Sequence, residues 1–325
     1  MSSSSSAVPD LATQVARLFF DRQMTKVEIG AHLGISRFRV ARLIDSALAD
    51  GLVRIEYRDL PAQERALATQ MEQRFGLDLC AVANVADDAD TGGLDVVARL
   101  AGAVIDGLIG PSDVIGIAWG STMAAVVRHI PARAATTIEV VQLAGSSTRL
   151  GRERDAGQLA RTLADRLGAT EYPIYAPAFV ASSEVRAALA RDPEVAGAMT
   201  RFGTLTLAIV GIGAMPSATG GAAAGASSLL RSGVLDDDEV ERLVGMGAVG
   251  DLVVHPFDAS GRFIGGDLAQ RSVAISVEAL RGVPRVVAVA AGSAKAAAIR
   301  GALASGLVRI LVTDRITARA VMASD

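Results

Sequence analysis

Apolar residues from Met24 to Asp45 (MTKVEIGAHLGISRFRVARLID) recur at three- and four-residue intervals, with one interruption at Gly34-Ile35-Ser36. That spacing predicts two short helices folded across a tight turn. Val27, Ile29 and Leu33 supply the apolar face of the first helix, and Gly30 the small residue that lets the second cross closely. Gly34 ends the first helix, because glycine enters the left-handed region without steric cost. Ser36 is placed as the N-cap of the second, with Val40, Leu43, Ile44 and Leu48 inward and Arg37, Arg39 and Arg42 outward. Phe19 and Phe20 pack the preceding helix. Asp50-Gly51 marks a turn, and Leu52 to Tyr57 alternates as a strand would. From Pro61 to Phe75 a polar segment carries Leu67, Met71 and Phe75 on one side, which predicts a linking helix.

Beyond it the pattern changes. Short β-rich apolar runs at Leu79–Val85, Val114–Ala118, Ile138–Leu143, Leu205–Ile212, Val286–Ala290 and Ile310–Thr313 alternate with helical segments. These are Leu94–Leu108, Met123–Ile130, Gly157–Leu167, Asp237–Gly245 and Ala294–Ala304. Alternation of this kind predicts an α/β sandwich around a mostly parallel, Rossmann-like sheet. A chain of 325 residues exceeds one small module. The expected organisation is a disordered tail (1–9), a winged helix-turn-helix (10–58), a linker helix (59–76) and a larger α/β domain (77–325).

Charge separates the two parts. Arg17, Arg22, Lys26, Arg37, Arg39 and Arg42 face Asp21 and Glu28 within residues 17–42, a net of +4, while the whole chain carries −3 and so the remainder −7. A basic module on an acidic body suits a chain that grips nucleic acid with one domain. An outward arginine row fits phosphates and guanine edges, so Ser36, Arg37, Arg39 and Arg42 are the candidate DNA-binding residues. The plainer alternative is an amphipathic hairpin with a solvated basic face.

Several chemistries drop out. The single cysteine, Cys80, sits in an apolar run and allows no internal disulfide; His32, His129 and His255 are scattered, so no metal or other cofactor is called for. The serine-rich start lacks the charge and apolar core of a signal peptide. Residues 202–230 carry no charge, but only Leu205 to Met215 is strongly apolar, too short to cross a bilayer. A cytoplasmic location without membrane contact is expected.

In parallel sheets, ligands sit beyond the carboxyl ends of strands, where helix N-termini favour anions. Three segments have that form: Gly120-Ser121-Thr122 after the strand at Val114; Gly145-Ser146 after Val140–Leu143, with Arg149 nearby; and Gly292-Ser293-Ala294-Lys295, where Ser293 is placed as a helix cap. Only Lys26 and Lys295 are lysine among 32 basic residues, so a compact ammonium beside a predicted anion loop stands out. Gly211-Ile212-Gly213 lacks a full dinucleotide fingerprint and is expected as a strand-end turn. Asp236 to Glu239 is expected to cap a helix.

Taken in order, Ile29–Leu43, Gly116-Ile117-Ala118-Trp119-Gly120-Ser121-Thr122, Val141-Gln142-Leu143-Ala144-Gly145, Tyr175-Ala176-Pro177-Ala178, Gly247-Ala248-Val249-Gly250-Asp251, Phe257-Asp258-Ala259-Ser260-Gly261, Ala290–Lys295 and Leu311-Val312-Thr313-Asp314 resemble the SorC-type family of sugar-responsive regulators over nearly the whole chain. The resemblance implies an effector domain similar to sugar-phosphate isomerases and deaminases, a phosphorylated sugar or polyol as effector, and dimers or tetramers on operator DNA. It also implies effector-binding roles for Gly120, Ser121, Thr122, Gly145, Ser146, Asp251 and Lys295. Two classes of function therefore compete: a ligand-controlled, non-enzymatic regulator of a carbohydrate or polyol operon, and an isomerase or deaminase with a helical extension, for which Asp251 and His255 are the available acid–base groups.

Overall fold

The computed structural model describes residues 11–53, 62–85, 92–216 and 227–323. Contacts divide the chain into two units, Met1–Asp59 and Leu60–Asp325.

In the first unit, helices Leu11–Ala16, Lys26–Leu33 and Arg37–Ala49 enclose a small core of Val15, Ile29, Val40 and Ile44, with Phe19 and Phe20 packed against it. Each helix end has a local cause. Thr25 and Glu28 form a capping box, the Thr25 hydroxyl accepting from the Glu28 amide and the Glu28 carboxylate from the Thr25 amide. Gly34 takes φ +67° at the end of that helix, and the Ser36 hydroxyl accepts from the Arg39 amide at 3.2 Å to begin the next. Gly30 is required, since a β-carbon there would lie 2.7 Å from the Ile35 carbonyl. These elements make the helix-turn-helix. Two inward placements are corrected: Val27 is 63% exposed and Leu48 37% exposed. The short first helix touches the core only through its Ile29, Gly30 and Leu33 side, and Ala47, fully buried, takes the place expected for Leu48. Residues 54–57 of the expected wing strand lie outside the described residues, as do the expected tail 1–9 and the start of the linker.

The second unit is built on strands β1 (Leu79–Ala83), β2 (Val114–Ile117), β3 (Glu139–Gln142), β4 (Thr170–Tyr172), β5 (Leu207–Ala214), β6 (Ala248–Leu252), β7 (His255–Asp258), β8 (Arg285–Val289) and β9 (Ile310–Asp314). Seven of them pair in parallel in the order β1-β9-β8-β5-β2-β3-β4. The far end of β5 continues into an antiparallel pairing with β6, which pairs with β7. Both faces of the sheet are covered: Leu207 and Ile209 join one apolar cluster and Ala208 and Val210 the other. Burial on both sides is why the strands read as continuous apolar runs. Helices Gly92–Leu108, Ser121–His129 and Ala156–Leu167 supply one cover; Ala62–Phe75, Ala296–Ala304 and Arg315–Met322 contribute to the other.

Chain order fixes where a ligand can sit. After β2 the chain moves outward through β3 and β4, then returns to place β5 on the other side of β2 and continues the opposite way through β8 and β9. The carboxyl ends of β2 and β5 thus flank a topological switch point, the position that binds ligands in open parallel sheets. Gly211-Ile212-Gly213, expected as a turn, instead continues β5 to that point. Cys80 is buried in β1 and its thiol is pushed up to about 12, chiefly by burial, which leaves it unreactive. No helix among the described residues is long and apolar enough to cross a membrane.

Candidate functional site

A narrow pocket opens at the switch point. From β2 come Ala118, Trp119 and Gly120, leading into the helix Ser121–His129. Gly120 has φ +116°, and a β-carbon on it would lie 2.7 Å from the Ser228 hydroxyl. No side chain caps this helix. Its first amides therefore present the positive end of the dipole to the pocket, beside the Ser121 and Thr122 hydroxyls. From β5, Gly211, Ile212 and Gly213 form the floor, and a β-carbon on Gly213 would overlap the Asp251 carboxylate. Asp251 projects from β6 and accepts a hydrogen bond from Ser227, whose oxygen also accepts from the Leu229 amide at 2.9 Å to start the short helix Ser228–Arg231. Val253, buried in the tight turn between β6 and β7, holds φ +61° at the pocket wall. A β-branched residue in that region is strained, a feature that collects at ligand sites.

The charges are unusual for so small a space. Asp251 is nearly fully buried, and loss of water pushes its carboxyl up to about 6 despite the Ser227 hydrogen bond and the nearby cations Lys295 and Arg231. Lys295 reaches across the end of β5 and donates to the Ile212 carbonyl at 3.0 Å. Burial holds it below the ordinary lysine range, with Asp251 opposing and Arg231 adding to the shift. Burial, then the neighbouring Arg154 guanidinium, lowers Arg231 as well. Two cations, Lys295 and Arg231, thus flank one carboxylate at an open helix N-terminus, with Arg154 close to Arg231. The arrangement favours an anionic group, with Asp251 available to accept from a hydroxyl beside it.

Gly120, Ser121, Thr122, Asp251 and Lys295 are therefore brought together. Gly145 and Ser146 are not. Gly145 donates to the Val273 carbonyl and is wedged against Ala176 and Pro177, while Ser146 bonds Asp155 and lines a separate cavity with Arg149 and Tyr175. The loops after β2 and β8 do not end neighbouring strands, because β5 lies between them; Lys295 joins the pocket only by spanning that strand. Nor does Ser293 cap a helix. Ser293–Lys295 is a 3-10 turn, and the Gly292 amide is held by Asp314 and Thr317 at 3.0 and 2.8 Å. His255 bonds the Ile275 carbonyl at 2.7 Å and lines another cavity, away from Asp251's pocket. Sequence reasoning missed Gly213, Ser227, Arg231 and Val253. Arg231 carried one visible signal, being the first charge after the uncharged stretch 202–230. In the helix-turn-helix, Arg37, Arg39 and Arg42 are all exposed, with Ser36 as the helix cap.

A helix-turn-helix followed by an α/β domain with a ligand pocket at its switch point has the build of a ligand-responsive transcriptional regulator. Residues 61–323 match the Sugar-bind family model, which describes a sugar-binding domain. The chain is similar to the erythritol catabolism regulatory protein EryD of Brucella abortus, 31% identical over 316 residues and covering 96% of each. It is 26% identical over 319 residues to the sorbitol operon regulator of Klebsiella pneumoniae, covering 96% of this chain and 97% of that one. The crystal structure of full-length SorC from Klebsiella pneumoniae aligns with a TM-score of 0.73 at 25% identity, over 96% of this chain and 98% of that one. The chain belongs to the SorC-type family of sugar-binding transcriptional regulators.

Proposed function

We propose that this regulator binds operator DNA through Ser36, Arg37, Arg39 and Arg42 and is controlled by a phosphorylated sugar or polyol held at the β2–β5 switch point. The observation that carries the effector class is the grouping of Lys295 and Arg231 about Asp251 at the uncapped helix beginning at Ser121. The phosphate would lie on the amides and hydroxyls of Gly120, Ser121 and Thr122, with Lys295 as its counter-charge. Asp251 would accept from a sugar hydroxyl. Gly145 and Ser146 lie outside this phosphate site, Ser146 lining the separate cavity with Arg149 and Tyr175.

The chain acts as a homo-oligomer, dimer or tetramer, because paired recognition helices need two copies to meet two half-sites. Effector binding would favour one quaternary arrangement by differential affinity and so shift the population able to span the operator. Catalysis is not part of this function: the relatives are named as regulators, and His255 stands apart from Asp251. The test is a thermal-shift screen of the intact protein against sugar phosphates and the matching free polyols, run beside a turnover assay. Stabilisation by phosphorylated ligands alone, without turnover, is expected. Preference for the free polyols would overturn the phosphate assignment, and sustained turnover would overturn the regulator.

A further inference from the structure

The recognition helix carries one side chain that neither the fold nor the arginine row accounts for. Phe38 is 68% exposed, although the small core of Val15, Ile29, Val40 and Ile44 lies on the same helix's other side. With 3.6 residues per turn, Phe38 stands one turn before Arg42 and opposite the buried stripe of Val40, Ile44 and Ala47. It therefore occupies the middle of the outward face. The Arg37 guanidinium lies over its ring, 4.8 Å from the centroid, which holds both groups in place.

Leaving an aromatic ring in water forgoes the stabilisation that burial would bring, so this placement asks for a covering surface. Cationic neighbours argue against an apolar protein partner and for a polyanion. Among the base-edge groups of the major groove the apolar one is the thymine C5-methyl, for which phenylalanine is a suitable contact. Resting on the DNA-binding assignment above, we propose that Phe38 reads a thymine methyl, adding apolar base readout to the polar readout of Arg39 and Arg42.

The experiment is in vitro selection from a random double-stranded library with the full chain, in the presence and absence of pooled sugar phosphates. It is followed by affinity measurements on the selected sequence with uracil replacing each thymine. Wild type should enrich a motif containing a thymine whose replacement by uracil weakens binding about fourfold, the equivalent of one buried methyl. Phe38→Ala should lose both the preference and the uracil penalty, while Phe38→Leu keeps part of each; neither should alter thermal unfolding. A wild-type motif whose thymines all tolerate uracil overturns the proposal alone. So does a Phe38→Ala protein with the wild-type motif and penalty. Failure of the wild type to enrich any sequence overturns the DNA-binding assignment together with it.

Discussion

Replacing Lys295 with alanine removes the ammonium that spans the end of β5, and the structure sets what should follow. The Nζ group donates to the Ile212 carbonyl at 3.0 Å, so the fold loses one hydrogen bond. It also sheds a partly buried cation that burial already disfavours. These effects oppose each other, and the ligand-free protein should change stability by no more than about 1 kcal/mol. Ligand binding has no such offset. A charge-assisted bond to phosphate contributes about 1.5–3 kcal/mol, so affinity should fall roughly ten- to a hundredfold. Asp251 loses the larger of the two cationic influences that favour its ionised form and should take up a proton more readily, which tempers the loss toward the lower end. Thr122→Val, which deletes one neutral hydroxyl at nearly constant volume, should cost about 0.5–1.5 kcal/mol. Calorimetry of both variants with the sugar phosphate that most stabilises the wild type is the assay, and Lys295→Met controls for the lost side-chain stem. Wild-type affinity in Lys295→Ala would show that the ammonium serves the β5 carbonyl alone and that the phosphate lies elsewhere.

Three further outcomes follow from the geometry. Because Asp251's carboxyl is raised from 3.8 to about 6, its contribution to stability is complete below about pH 4 and lost as pH rises through about 6; Asp251→Asn should flatten that part of the ligand-free unfolding profile, and identical profiles would refute the burial of a titrating carboxyl. Gly213→Ala drives a methyl into Asp251 and Ser227 and should cost about 1–3 kcal/mol of stability as well as ligand binding, whereas Gly211→Ala, with open space beside it, should leave the melting temperature of the ligand-free protein unchanged. In an ordinary helix Gly→Ala stabilises by about 1 kcal/mol, but at Gly30 the new carbon meets the Ile35 carbonyl at 2.7 Å; Gly30→Ala should therefore abolish DNA retention in a gel-shift assay while the ligand-induced thermal shift persists.

Much of this was legible because local chemistry and global fold agree. Gly34 and Ser36 specify the helix-turn-helix by dihedral preference and capping, and Asp236 caps its helix as expected, with Glu239 completing a capping box that the structure adds. The buried parallel strands announced themselves as unbroken apolar runs. What escaped depends on tertiary contact. β6 reads Ala-Val-Gly-Asp-Leu, with no strong strand signal, because a β-carbon on Gly250 would lie under 3 Å from the Gly213 carbonyl, Ala298 and Phe257. The turn after it uses Val253 at positive φ, where a sequence rule looks for glycine or asparagine. β4 is three residues long at the sheet edge. In the site, Gly120–Thr122 and Lys295 were visible as strand-end signals, but their meeting across β5 follows from strand order, which no local pattern encodes. Gly213 was passed over because its reason is the carboxylate of a residue far along the chain.

Occupancy of the switch-point pocket should change the grip of the helix-turn-helix on DNA. Fluorescence anisotropy of the intact protein on its selected operator, titrated with the sugar phosphate that stabilises it most, measures that coupling directly. The apparent Kd for DNA should shift at least fivefold, the lower end of ordinary allosteric coupling (about 1 kcal/mol), with the midpoint displaced to higher ligand concentration in Lys295→Ala. Ligand binding confirmed by calorimetry with DNA affinity unmoved would contradict it.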